Sequence, residues 1–130
     1  MIGMMTSGKM KADKFDEIVK RFWKWEKNDT RYYLGFCSEV AVAMDKFLNK
    51  KGKIGKHGWF HTIYIWDGYY WDIRGKMTKR ELDFKMPIGA TDEPRPAKPE
   101  EIKHIYDLLN VKKVNYILKG FKDAQRGWKM

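Results

Sequence analysis

Residues 59–73 read WFHTIYIWDGYYWDI. Two apolar runs, Trp59 to Trp66 and Tyr69 to Ile73, flank the dipeptide Asp67-Gly68. That dipeptide between strand-like runs is a strong signal for a two-residue turn of the primed type. The stretch therefore predicts a hairpin of two antiparallel strands, and an antiparallel sheet is expected at the centre of the chain.

The register of this hairpin brings a histidine close to an aspartate. Counting outward from the turn places Trp66 opposite Tyr69 and Ile63 opposite Asp72. Because side chains alternate between the faces of a strand, His61 shares a face with Asp72 and is its diagonal neighbour. Diagonal neighbours lie about 7–8 Å apart, which an imidazole and a carboxylate can span with one hydrogen bond. We therefore expect Asp72 to orient the His61 ring.

The only cysteine of the chain, Cys37, comes just before a predicted amphipathic helix over Ser38 to Lys50. At the start of a helix the positive end of the dipole lowers the pKa of a thiol. A thiol, an imidazole and a carboxylate form a nucleophile with its base and its orienting acid. Cys37, His61 and Asp72 are therefore the candidate catalytic residues. If the hairpin face that carries His61 packs on the helix, an apolar floor is expected beneath them, formed by Val40, Met44, Ile63 and Ile65.

Simpler roles exist for each of these residues taken alone. A single cysteine is often a small buried hydrophobe, a histidine in a strand is often an ordinary core or surface residue, and an aspartate near a strand end often belongs to a turn. A zinc site is a further alternative, with His57 added to Cys37, His61 and Asp72 as ligands. An extended strand would separate the rings of His57 and His61, however, and no paired-cysteine motif is present. We therefore expect no metal and no cofactor, with His57 in a surface loop.

The residues around this constellation resemble a known group of proteins. Gly35-Phe36-Cys37 with the following helix, and then residues 61–75, are similar to the core of the papain-like and transglutaminase-like superfamily, and above all to its compact bacterial and phage members. There a cysteine begins a helix packed on an antiparallel sheet, and a histidine and an aspartate or asparagine follow on successive strands. The resemblance implies an α+β fold and a thiol-dependent hydrolase or acyltransferase acting on an amide or thioester of a protein or peptide-like substrate. Protease, amidase, deamidase and transglutaminase remain open.

One departure from that superfamily concerns the oxyanion. Papain-like proteases usually carry a glutamine a few residues before the cysteine, and this chain has Arg31, Tyr32 and Tyr33 in that region. Backbone N–H groups at the start of the helix can bind a developing oxyanion instead. The candidates for oxyanion or substrate contacts are Arg31, Tyr33 and Ser38.

The segments outside the hairpin predict flanking helices. Apolar periodicity predicts one helix from about Ala12 to Lys27, and Pro99-Glu100-Glu101 opens another that Asn110 ends. Residues 111–121 fit a helix or a closing strand, and residues 87–96 fit a loop or an extended connector. The whole chain, 1–130, is expected to be one domain with an antiparallel sheet packed on the cysteine-bearing helix, and with mobile ends at about 1–10 and 125–130.

The charge of the chain supports a second function. Lysine and arginine number 27 against 17 acidic residues, so the formal net charge is +10. Such a charge attracts nucleic acid, anionic surfaces or acidic proteins. The candidate binding residues are Lys51, Lys53, Lys56 and Trp59, and tryptophan rings beside such lysines can stack on bases. The alternative is therefore a basic binding or inhibitor protein that keeps the fold without catalysis.

The chain shows no sign of membrane insertion or export. No apolar run is long enough to span a bilayer, and the amino-terminal residues lack the pattern of a signal peptide. A single cysteine cannot form an intrachain disulfide. We therefore expect a cytoplasmic protein, while its oligomeric state is left open by the sequence.

Overall fold

The computed structural model describes residues 10–58, 61–85 and 93–127. Within these residues the protein is α+β, with six helices and one five-stranded open sheet. The elements in chain order are α1 (Ala12–Trp25), α2 (Arg31–Leu34), α3 (Cys37–Phe47), β1 (Lys53–His57), β2 (His61–Trp66), β3 (Tyr69–Asp72), β4 (Gly75–Met77), α4 (Lys79–Lys85), β5 (Arg95–Pro96), α5 (Pro99–Asp107) and α6 (Val111–Gln125). The strand order is β4-β3-β2-β1-β5, and all neighbouring strands are antiparallel. The predicted α+β class is confirmed.

The hairpin β2–β3 has the predicted register. Trp66 pairs with Tyr69 and Tyr64 pairs with Trp71. The turn residues Asp67 and Gly68 both have positive φ, 55° and 80°, as a primed turn of type I′ requires. Glycine adopts this conformation without steric cost, and aspartate tolerates it better than most residues. The two-residue turn therefore fixes the pairing of the strands.

The two faces of the sheet belong to different cores. Helices α1, α3 and α6 cover the face that carries Tyr64 and Trp71, and together they form the main hydrophobic core. The opposite face carries Ile63, which packs with Met77 and Leu82 in a smaller core under α4. The expected floor beneath the thiol is therefore wrong for Ile63 and Ile65: Ile65 borders the smaller core, and α3 packs on the other face.

Three helices end earlier than the sequence predicted. Helix α5 ends at Asp107 and not at Asn110, which is the N-cap of α6. The ends of α1 and α3 have one cause. Helix α1 ends at Trp25, after which Lys27 and Asn28 adopt positive φ. Helix α3 ends at Phe47, shortly before Asn49 and Lys50, which also have positive φ. A left-handed residue cannot continue a right-handed helix.

After β4, the described residues form helices α4, α5 and α6 and the short strand β5. Residues 111–125 form α6, which settles the alternative between helix and strand, and the Asn110 side chain caps it by accepting the N–H of Lys113. Of the predicted connector, Arg95 and Pro96 add an edge strand to β1, while residues 87–92 lie outside the described residues. Of the predicted mobile ends, residues 1–9 and 128–130 lie outside them as well.

Helix α3 is held from both sides. Its buried Glu39 accepts a hydrogen bond from the backbone N–H of Asn110, at the start of α6. Its buried Asp45 accepts the hydroxyl of Tyr64 on β2 at 2.8 Å. These bonds fix the helix against the sheet, and with it the position of Cys37. Among the described residues, no helix combines the length and apolar character needed to cross a membrane.

Candidate active site

The three candidate catalytic residues come together at the end of the sheet far from the hairpin turn. Cys37 is the first residue of α3, His61 is the first residue of β2, and Asp72 is the last residue of β3. All three are buried, with relative exposures of 9 %, 4 % and 2 %. The site therefore forms where a helix start meets two strand ends.

The contact between His61 and Asp72 follows the predicted register. His61 Nε2 lies 2.9 Å from Asp72 Oδ2. The Cys37 thiol is hydrogen-bonded to the His61 side chain and to the backbone N–H of Thr62. Because Nε2 is engaged by Asp72, Nδ1 is the ring nitrogen that remains for the thiol. The imidazole is thus held between a sulfur and a carboxylate, in the order required of a general base.

Cys37 contacts His61 although Cys37 belongs to α3, which covers one face of the sheet, and the His61 side chain lies on the other face. His61 shares its strand face with Ile63, which packs under α4, while α3 covers the other face. The contact is possible because Cys37 lies at the helix end and His61 at the strand end. The backbone N–H of Thr62, the residue after His61, also donates to the sulfur.

The electrostatics of the pair favour a thiolate and an imidazolium. Burial raises the pKa of Cys37, but hydrogen bonds from His61 and Thr62, together with the charges of His61 and Lys56, outweigh burial and leave this pKa below that of an ordinary thiol. Burial lowers the pKa of His61, but the hydrogen bonds and charges of Asp72 and Cys37 raise it to about 9. Each partner thus stabilises the charged form of the other.

Asp72 stays ionised although it is buried. Burial raises its pKa, but hydrogen bonds with His61 and Arg74 and the charge of Arg74 bring the pKa down to about 2. Arg74 donates to Asp72 from Nη2 at 2.6 Å and from its backbone N–H at 2.8 Å. The Asp72 carboxylate is therefore held in place by Arg74 independently of its contact with the imidazole.

Arg74 is a residue for which the sequence suggested no role. Its guanidinium lies 4.1 Å from the centre of the Tyr33 ring and also donates to the carbonyl of Lys85, at the end of α4. The only sequence signal was its position two residues after Asp72, a spacing that allows an aspartate to accept bonds from the backbone ahead of it. Arg74 links the site to α2 and to α4.

The three candidates for oxyanion contacts have different positions. Arg31 bonds Asp29 at 2.6 Å, with 73 % of its side chain exposed. Tyr33 lies beneath the guanidinium of Arg74. Ser38 is next to the thiol in sequence, and its hydroxyl is 3.0 Å from that of Thr62. Of the three, Ser38 contacts a residue that itself contacts the sulfur.

The four candidate binding residues also differ in their position relative to the thiol. Lys51 and Lys53 are exposed where β1 begins, beside the hairpin turn. Lys56 lies further along β1, and its Nζ is 3.2 Å from the Thr62 hydroxyl. Trp59 lies outside the described residues. Lys56 is thus the lysine of this group that the structure brings to the site.

His57 does not lie in a surface loop, so that expectation is wrong. It is the last residue of β1, it is completely buried, and its Nε2 is 2.8 Å from Asp83 Oδ1 on α4. The strand continues up to His57, and α4 covers this face of it. Among the described residues, no group of three or more histidine, cysteine, aspartate or glutamate side chains is placed to hold a metal ion.

Comparison of the chain with protein-family models, with curated proteins and with solved structures gives no match.

Proposed function

We propose that this domain is a thiol-dependent hydrolase or acyltransferase that acts on an amide or thioester, built on a core of the papain-like and transglutaminase-like type. The observation that supports this function is the buried series of hydrogen bonds from Cys37 through His61 to Asp72. A structural cysteine needs neither an imidazole nor a fixed carboxylate behind that imidazole. Nucleophilic catalysis needs both.

The chemistry assigns one task to each residue. The Cys37 thiolate attacks the carbonyl carbon, and the new carbon–sulfur bond leaves a negative charge on the carbonyl oxygen. His61 gives its proton to the leaving amine or thiolate as the carbonyl bond to that group breaks, which leaves a thioester on Cys37. His61 then takes a proton from water or an acceptor amine, which attacks the thioester and releases the thiolate. Asp72 keeps its charge throughout and holds the ring.

Backbone N–H groups at the start of α3 are the proposed donors to the oxyanion. Helix α3 begins at Cys37, so its first N–H groups have no carbonyl partner within the helix. Ser38 lies beside them and is the nearest polar side chain in sequence. Protein or peptide-like acyl groups are the proposed substrates.

The test is a timed iodoacetamide pulse followed by intact-mass measurement across pH. We expect Cys37 to be alkylated in the folded protein below the pH at which an ordinary thiol ionises, since its pKa is lowered. Cys37→Ser is the control and should take up no label. His61→Ala should move the alkylation profile to higher pH, because it removes the histidine hydrogen bond and charge while burial of the thiol remains. A Cys37 that is labelled only after unfolding would contradict the proposed function.

The second candidate function is the binding of an acidic polymer or protein, and one observation favours it. Lys50, Lys51 and Lys53 are exposed together where β1 begins, in a chain of net charge +10. The tryptophans expected to stack on bases offer less support, since Trp71 is fully buried and Trp23 and Trp66 pack against the core. This function is compatible with the first, because these lysines lie at the opposite end of the strand from the thiol.

A further inference from the structure

Lys56 occupies the middle of a polar row that crosses three strands. It pairs with Thr62 on β2 and with Arg95 on β5. Register partners in antiparallel strands share a face, so these three side chains emerge on the face that α3 covers. The contact between the hydroxyls of Ser38 and Thr62 places the start of α3 at the end of this row.

Among the described residues, Lys56 is the cation of this row that has no acidic side chain within ion-pair distance. Arg95 is paired with Glu101 through two hydrogen bonds of 2.7 and 2.8 Å. Lys56 also acts on Glu101 through its charge, but none of the ion pairs within the described residues involves Lys56. Its ammonium donates to the neutral hydroxyl of Thr62. An ammonium has three N–H donors, and within the described residues one hydrogen bond of this half-buried cation is seen, to Thr62.

Thr62 connects this cation to the sulfur. Its buried side chain receives Lys56 at 3.2 Å and meets Ser38 at 3.0 Å, while its backbone N–H donates to Cys37. The ammonium is therefore held by a residue that also holds the nucleophile. Its positive charge is one of the causes that lower the pKa of Cys37.

We propose that Lys56, held in place by Thr62 and Ser38, is an anion subsite beside Cys37, and that the acyl substrate carries a carboxylate close to the carbon that Cys37 attacks. The subsite rests on the proposed function, because Thr62 connects it to a thiol that is proposed to be the nucleophile. A carboxylate there would accept charge-assisted hydrogen bonds from the ammonium of Lys56. The substrate class is thus narrowed to acidic acyl compounds, such as peptides with an acidic residue at the reacting position.

Two alkylating reagents of almost equal size test this subsite without a known substrate. Iodoacetate and iodoacetamide both react by forming a bond from the Cys37 sulfur to their CH₂ carbon as iodide leaves. The first carries a carboxylate next to that carbon and the second carries a neutral amide. Both consume the same thiolate, so the ratio of their rates is independent of the Cys37 pKa. The change in this ratio between the wild type and Lys56→Gln isolates the attraction of the Lys56 ammonium for the carboxylate of the reagent.

We expect the ratio of iodoacetate to iodoacetamide rates to be about tenfold higher in the wild type than in Lys56→Gln, the size of effect that one nearby charge produces. Lys56→Arg should keep most of the preference, and Lys46→Gln, at an exposed position of α3, should keep all of it. Added salt should lower the ratio in the wild type, since screening weakens an attraction between charges. The salt series needs no variant and therefore does not depend on how Lys56→Gln folds.

The outcomes separate this inference from the function on which it rests. An equal ratio in the wild type and in Lys56→Gln, with iodoacetamide still fast at low pH, overturns the anion subsite and leaves the thiol function standing. A parallel loss with both reagents in Lys56→Gln also overturns it, because Lys56 would then act on the thiol alone. A folded protein that resists both reagents contradicts the proposed function and the subsite together.

Discussion

At the scale of single residues, two arginines form the same local arrangement in opposite surroundings. Arg74 lies two residues after Asp72, and Arg31 lies two residues after Asp29. In both pairs the arginine donates to the aspartate from its backbone N–H and from its guanidinium. The first pair is buried and supports His61, while the second is mostly exposed. The chain thus contains its own control for the effect of burial on an ion pair.

We predict that Arg74→Met destabilises the protein by about 3 kcal/mol, because it removes the guanidinium that stabilises the buried charge of Asp72 and leaves His61 to do so. Arg31→Met should change the stability far less, since water can solvate Asp29 once the arginine is gone. Urea unfolding of the two variants measures the difference. Equal losses would mean that the Arg74 pair is as open to solvent as the Arg31 pair.

The pKa values of the site predict how stability varies with pH. Asp72 has a pKa of about 2 against an ordinary value of 3.8, so its contribution is present above 3.8 and is lost as the pH falls through 2. His61 has a pKa of about 9 against 6.5, so its contribution is present below 6.5 and is lost as the pH rises through 9. The stability difference between the wild type and Asp72→Asn should therefore be greatest between these two ranges, near pH 4 to 6.5. A difference that is constant from pH 2 to pH 9 in urea unfolding would contradict both pKa shifts.

The residue contacts that could be predicted are those set by strand geometry. The bond between His61 and Asp72 follows from a two-residue turn and an alternation of period two, and both are visible in the sequence. The roles of His57 and Arg74 depend on α4, which packs against one face of the sheet and contacts both residues. No local sequence pattern predicts that packing, so the sequence placed His57 wrongly in a surface loop and suggested no role for Arg74.

At the scale of elements, the sequence determines which side chains share a face better than it determines what covers that face. Both faces of β2 are apolar, with Ile63 and Ile65 on one and Tyr64 and Trp66 on the other. Either face could receive α3 as far as hydrophobicity is concerned. Hydrogen bonds of Tyr64 stabilise α3 on the face that carries Tyr64. Its hydroxyl donates to Asp45 on α3 and accepts the backbone N–H of Gly52.

The contact between α1 and α6 depends on a glycine. A Cβ atom at Gly120 would overlap the ring of Phe22, which packs edge to face on Phe121 at 5.4 Å. We predict that Gly120→Ala destabilises the protein by about 1–2 kcal/mol, because overpacking outweighs the better helix propensity of alanine. Gly35→Ala is the matched control, since its Cβ would meet only the Arg31 carbonyl, at an ordinary 3.7 Å. Thermal unfolding that ranks Gly35→Ala as the more damaging change would refute this packing argument.

At the scale of the whole molecule, the two candidate functions use opposite ends of the sheet. In the β1–β2 ladder, Lys53 pairs with Ile65 beside the hairpin turn, while His57 pairs with His61 at the end that holds the thiol. The exposed lysines therefore lie several residue pairs away from Cys37 along the strands. Distance along a strand grows by about 3.3 Å per residue, so a small ligand cannot cover both ends.

This separation makes the two functions independent in an experiment. We predict that the double variant Lys51→Glu/Lys53→Glu binds a fluorescent single-stranded oligothymidine more weakly than the wild type, with a shallower dependence on salt because fewer counterions are released. The same variant should keep the wild-type rate and pH profile of Cys37 alkylation. Cys37→Ser should show the reverse, with wild-type affinity for the oligonucleotide and no alkylation. If bound oligonucleotide shields Cys37 from iodoacetamide at low salt, the anionic polymer lies across the thiol, and the assignment of the two functions to opposite ends is wrong.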